Sequence, residues 1–121
     1  MKAYAVAKFI KGSPQKARLV IDLIRGKEVN EALSLLAGSG KRAAKPIETV
    51  LRSAIANAEQ KADTLNVAID VDTLRVSRAL VDLGPTKFRR RMRPAPMGRA
   101  YRERRWNSHI TIEVATPKQE Q

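Results

Sequence analysis

Apolar residues recur along this chain with two different periods, and the switch between them divides it into parts. Residues 2–10 alternate, with Tyr4 and Val6 on one side and Ala3, Ala5, Ala7 and Phe9 on the other, which predicts a short strand. Gly12-Ser13-Pro14 then opens a helix, with Ser13 as N-cap and Pro14 at the first helical position. Ala17, Val20, Ile21 and Ile24 follow at helical spacing, Leu19 and Leu23 widen the stripe, and Gly26 stops it. A second, shorter helix is predicted from Asn30 as cap through Ala32, Leu33, Leu36 and Ala37 to Gly38. The third, about Lys41 to Lys61, places Ile47, Val50, Leu51, Ala54, Ile55 and Ala58 on one face. Pro46 lies inside that pattern and should kink the helix or delay its regular part.

Beyond a connector at Leu65 to Ile69 the period falls to two. Leu74, Val76 and Leu80 share one side of a strand, and Ala79, Val81 and Leu83 the other. Ile110, Ile112 and Val114 alternate with Thr111 and Glu113, the cleanest strand pattern in the chain. The fold class is therefore α+β: three helices packed on a small antiparallel sheet, with the last two strands running on as a long protruding β-hairpin arm. One domain, 1–121, accommodates all of this, with the extended hairpin at about 78–106.

Between those two strands the pattern fails altogether. From Gly84 to Trp106 there are nine Lys or Arg, one Glu and no Leu, Ile or Val. Such a segment cannot bury enough apolar surface to offset the entropy of ordering it. Strands flank it on both sides, so it is not a loose tail, and its ordering partner should be a polyanion. The whole chain carries a net charge of +12, which also points to nucleic acid. Arginine outnumbers lysine eight to one within the segment, favouring bidentate phosphate contacts and stacking on bases. If the legs pair, the thirteen residue steps from Arg78 to Arg91 reach roughly 40 Å at about 3.3 Å per residue. Arg93-Pro94-Ala95-Pro96 should end regular pairing and stiffen the tip, because proline cannot donate to a ladder.

Other chemistries find little support. There is no cysteine, which removes disulfides and thiolate metal sites, and the single histidine has no clustered ligands. Ser108 and His109 are neighbours on a strand and point to opposite faces, so they cannot form a catalytic dyad. The expectation is no enzyme, no cofactor, no metal, no small-molecule substrate and no membrane partner. No apolar run approaches the ~18 residues of a membrane span. The amino terminus is too short and too interrupted by Lys8 for a signal peptide, giving a cytoplasmic expectation. Lys16 and Arg18 lie in the first turns of the first helix, where a phosphate or a solvated face would serve equally; Lys8 and Lys11 could extend that site.

Several motifs together resemble the family of the large-subunit ribosomal protein numbered twenty-two. They are Ser13-Pro14-Gln15-Lys16-Ala17-Arg18-Leu19-Val20, Asp22-Leu23-Ile24-Arg25-Gly26-Lys27, Ser53-Ala54-Ile55-Ala56-Asn57-Ala58, Val81-Asp82-Leu83-Gly84-Pro85, Gly98-Arg99-Ala100 and Ser108-His109-Ile110-Thr111. The resemblance implies a structural constituent of the large ribosomal subunit, in the cytoplasmic ribosome. Its partners would be large-subunit rRNA, other large-subunit proteins and, near the arm tip at the exit tunnel wall, the nascent polypeptide. The candidate RNA-binding residues are Lys8, Lys11, Ser13, Lys16, Arg18, Arg25, Lys27, Lys87, Arg89, Arg90, Arg91, Arg93, Arg99, Arg102, Arg104, Arg105, Ser108 and His109, and the resemblance implies that Arg99, Arg102, Arg104 and Arg105 hold RNA along the arm. The implied tunnel tip is Arg91, Met92, Arg93, Pro94, Ala95 and Pro96. A competing reading is an architectural DNA-binding protein, which would also grip a groove with a proline-tipped basic β-arm.

Overall fold

The computed structural model describes residues 1–85, 90–94, 96–98, 100–104 and 106–116. A first strand, β1 (Lys2–Lys11), leads into helices α1 (Pro14–Ile24), α2 (Val29–Ala37) and α3 (Ala44–Leu65). After a short 3-10 turn at Val71–Thr73 come β2 (Arg75–Leu83), the arm strands β3 (Arg90–Pro94) and β4 (Ala100–Arg104), and β5 (Asn107–Ala115). The strands form an antiparallel sheet in the order β1-β5-β2, and a separate two-stranded ladder of β3 with β4. The α+β class expected from the periodicity is the one observed.

The helices cover one face of the three-stranded sheet, α3 over β1 and β5 and α1 over β2. Ile110, Ile112 and Val114 of β5 lie at the centre of the core, against Val20, Ile21 and Ile24 of α1 and Ile47, Val50 and Leu51 of α3. The buried side of β1 is alanine, Ala3 and Ala5, and α3 buries Ala54, Ala58 and Ala62. Small side chains on both elements let the helix lie close to the strand.

Two bulges reset the alternation. In β2 the register against β5 shifts between Val76 and Arg78. This brings Ala79 and Val81 to the buried face beside Val76 and turns Leu80 out, unlike the simple alternation; Leu83, on the same side as Ala79 and Val81, is exposed at the end of the strand. In β1 the shift lies between Ala7 and Ile10, and Phe9 is turned out instead of following Ala3 and Ala5 inward. Other expectations are corrected at the helices. Leu19 and Leu23 face solvent, because the face of α1 turned to the core is the one holding Ala17, Val20, Ile21 and Ile24. Glu28, not Asn30, is the cap of α2. Helix α3 starts at Ala44, so Pro46 falls in its first turn, whose N–H groups have no intrahelical acceptor, and the helix continues past Lys61 to Leu65. The far leg, expected as the last strand running on into the arm, is divided into β4 and β5.

Helix side chains seal both outer edges of the sheet. On β2, Arg18 donates from Nε and Nη2 to the Val81 carbonyl at 3.2 and 2.9 Å, and Arg25 donates from Nη2 to the Ala79 carbonyl at 2.8 Å. The same edge continues through Gly26 N–H to Val76 O, Val76 N–H to Lys27 O and Val29 N–H to Leu74 O. Gly26, at φ 80°, supplies the left-handed turn that brings the chain back alongside β2. On β1, the Asn57 amide donates to Tyr4 O at 2.9 Å and Lys61 Nζ to Lys2 O at 2.7 Å. Exposed strand edges invite pairing with other chains, and these contacts occupy their carbonyls.

Candidate nucleic-acid interface

The arm leaves the domain where the ends of β1, β2 and β5 meet the start of α1. Gly84 N–H donates to the Asn107 carbonyl at 2.9 Å, and the Asn107 side-chain amide donates to Pro85 O at 2.9 Å, so the two legs are tied together at their base. Gly12 N–H donates to Trp106 O at 3.0 Å, and the Ser108 hydroxyl donates to Gly12 O at 3.0 Å, which ties the returning leg to the loop before α1. The ladder then resumes from Arg90 opposite Arg104 to Pro94 opposite Ala100.

This end gathers several of the predicted residues. Lys8, Lys11 and Lys16 are exposed around the root, on β1 and in the first turn of α1. Ser13 is half-buried at the N-cap position and its side chain makes no capping bond. His109 is half-buried, its Nδ1 accepting the Phe9 N–H at 3.1 Å, which places the ring hydrogen on Nε2. Ser108 is only 2 % exposed, so its hydroxyl serves the root itself.

Arg18, Arg25 and Lys27 lie together along the edge of β2 rather than at the root. Two of them spend donors on strand carbonyls, while the Arg25 Nη1 also meets Asp22 at 2.8 Å. Both arginines remain exposed, so a fork can hold the strand and still present charge outward. Arg90, Arg91 and Arg93 lie on β3, and Arg102 and Arg104 on β4. Lys87, Arg89, Ala95, Arg99 and Arg105 lie outside the described residues. Within the expected tip, Arg91, Met92, Arg93 and Pro94 belong to the paired leg, and Pro96 opens the short turn Pro96–Gly98. Met97 of that turn is left-handed at φ 61° and 96 % exposed.

Sequence reasoning missed Phe9, Gly12, Gly84 and Asn107, whose roles depend on which strands become neighbours. The one visible signal for Gly84 was its place before Pro85, where the apolar alternation of the strand ends. Among the described residues, no group of three His, Cys, Asp or Glu is placed to hold a metal ion, and no helix is long and apolar enough to cross a membrane. The arrangement offers a base tied by hydrogen bonds at Gly12, Gly84, Asn107 and Ser108, and a two-stranded ladder whose strands carry five arginines.

The family described as Ribosomal protein L22p/L17e matches residues 5–115 of the chain. A large ribosomal subunit protein uL22 from Solibacter usitatus is 51% identical over 114 residues, covering 94% of this chain and 96% of the relative. A large ribosomal subunit protein uL22 from Halothermothrix orenii is 52% identical over 119 residues, covering 98% of this chain and 99% of the relative.

Proposed function

The chain belongs to the Ribosomal protein L22p/L17e family, and from that premise we propose that it is a structural constituent of the large ribosomal subunit. It binds and organises large-subunit rRNA, works in the cytoplasmic ribosome beside other large-subunit proteins, and catalyses nothing. The observation that carries this reading is the arm: a ladder of Arg90–Pro94 with Ala100–Arg104 built on the same legs as the core strands β2 and β5. Nine cations and one carboxylate between Gly84 and Trp106 make it a poor partner for protein and a good one for a folded polyphosphate.

Its reach extends the proposal to the nascent-peptide exit tunnel. The turn around Pro96–Gly98 would lie at the tunnel wall, within touch of the emerging polypeptide. Lys8, Lys11 and Lys16 at the root and Arg18, Arg25 and Lys27 along β2 would add contacts on the subunit surface.

Co-sedimentation tests the assignment. In low-salt gradients the native protein is expected with large subunits, and its absence from them would refute the assignment. Cross-linking within isolated subunits is expected to join residues 90–104 to rRNA; cross-links confined to protein would remove the RNA-organising role.

A further inference from the structure

Strand alternation would send the Phe9 ring into the core beside Ala3 and Ala5. The bulge in β1 and a left-handed backbone at Phe9, φ 60°, send it out instead, leaving the residue 60 % exposed. Both features oppose stability: apolar surface stays in water, and the backbone occupies a region that bulky side chains avoid. Strain of this kind concentrates where a site needs it. His109 on the neighbouring strand holds the arrangement. Its Nδ1 accepts the Phe9 N–H at 3.1 Å, and the two rings meet edge to face with centroids 5.1 Å apart. Lys8 precedes Phe9 in the chain and Lys11 follows shortly after, both exposed.

We propose that the outward face of Phe9 is a stacking platform for an unpaired base of the large-subunit RNA. His109 is the positioning residue that fixes the ring, and Lys8 and Lys11 supply charge for the flanking phosphates. This rests on the RNA-binding reading above and adds to it a specific mode of contact at the root of the arm. An exposed ring among cations suits a nucleobase, whose π-face stacks whatever its identity while its phosphates meet the lysines. An apolar protein partner would be served as well by leucine, so that comparison decides between them.

The test titrates a transcript of the large-subunit rRNA with the full chain and its variants, with thermal unfolding recorded for each. Phe9→Leu is expected to weaken binding about tenfold, with an unchanged salt slope and an undiminished unfolding midpoint, and Phe9→Tyr to bind as the unaltered chain does. Phe9→Leu binding as tightly as the unaltered chain, or Phe9→Tyr binding as weakly as Phe9→Leu, overturns the platform. Failure of the unaltered chain to bind the transcript would instead sink the RNA-binding reading itself. Phe9→Trp in a Trp106→Phe background gives a readout independent of affinity. Its fluorescence should be quenched by the transcript, and unchanged emission at saturation refutes stacking. If His109 acts through Phe9, His109→Ala reproduces the loss and adds nothing to Phe9→Leu in the double variant; additive losses would end that role.

Discussion

A methyl group placed on Gly84 would lie 2.9 Å from Cβ of Asn107 and 3.2 Å from Cε1 of His109. The conflict is one of space, and the Cβ of Asn107, fixed to its backbone, cannot swing aside. Gly84→Ala should therefore destabilise the protein by about 1–3 kcal/mol, as overpacking does, measured by urea unfolding. Weaker RNA binding is expected alongside, because the displaced atoms tie the two legs together. A variant as stable as the parent would show that the root has room to spare.

Arg18 and Arg25 hold the outer edge of β2, and replacing each by Met leaves a strand carbonyl without its donor. Each change should cost about 0.5–1.5 kcal/mol in denaturant unfolding. The double variant should self-associate at high protein concentration in sedimentation experiments, since its edge is then free to pair. Lys27→Ala is the control: its contact with Glu31 spans 4.0 Å between half-exposed groups and should matter by less than about 0.5 kcal/mol.

Deleting residues 86–97 should leave the domain folded. The core is built by β1, the three helices, Leu74, β2 and β5. The thermal midpoint is expected to move little, whereas Ile112→Ala, at the centre of the core, should cost about 2–5 kcal/mol. A deletion as damaging as Ile112→Ala would mean that the arm supports the domain.

Affinity for rRNA should fall steeply with salt, with a log–log slope of about −0.7 to −0.9 for each phosphate neutralised. Replacing Arg90, Arg91 and Arg93 together by Ala should make that slope shallower by about two to three units. An unchanged slope would place these arginines away from phosphate.

Much of the fold could be read from the sequence where periodicity runs unbroken. Ile110, Ile112 and Val114 alternate without interruption, and Ile47 to Ala58 keep helical spacing through several turns. The failures occur where one inserted residue flips a face. Leu80 and Phe9 follow the alternation of their strands in sequence, but Leu80 sits beyond a bulge and Phe9 within one, and the apolar pattern reveals neither. Pro46 read as a kink or a delay because the sequence does not mark where the first turn of α3 begins. At the interface, charge was legible by counting, since it needs no partner to be seen. The bond between Phe9 and His109 joins positions a hundred residues apart, and only the pairing of β1 with β5 creates it.

That pairing also imposes an order of events. The strand between β1 and β2 is β5, the last of the chain. A polypeptide emerging amino-terminus first holds two strands that have no common partner until the third slots between them. Helices α1 to α3 can form from local contacts while they wait, but closing the sheet needs long-range contacts and is the slow step. The cationic arm is thus released before the domain that anchors it has finished folding. A newborn copy passes through an interval in which its most basic segment has no finished base beneath it.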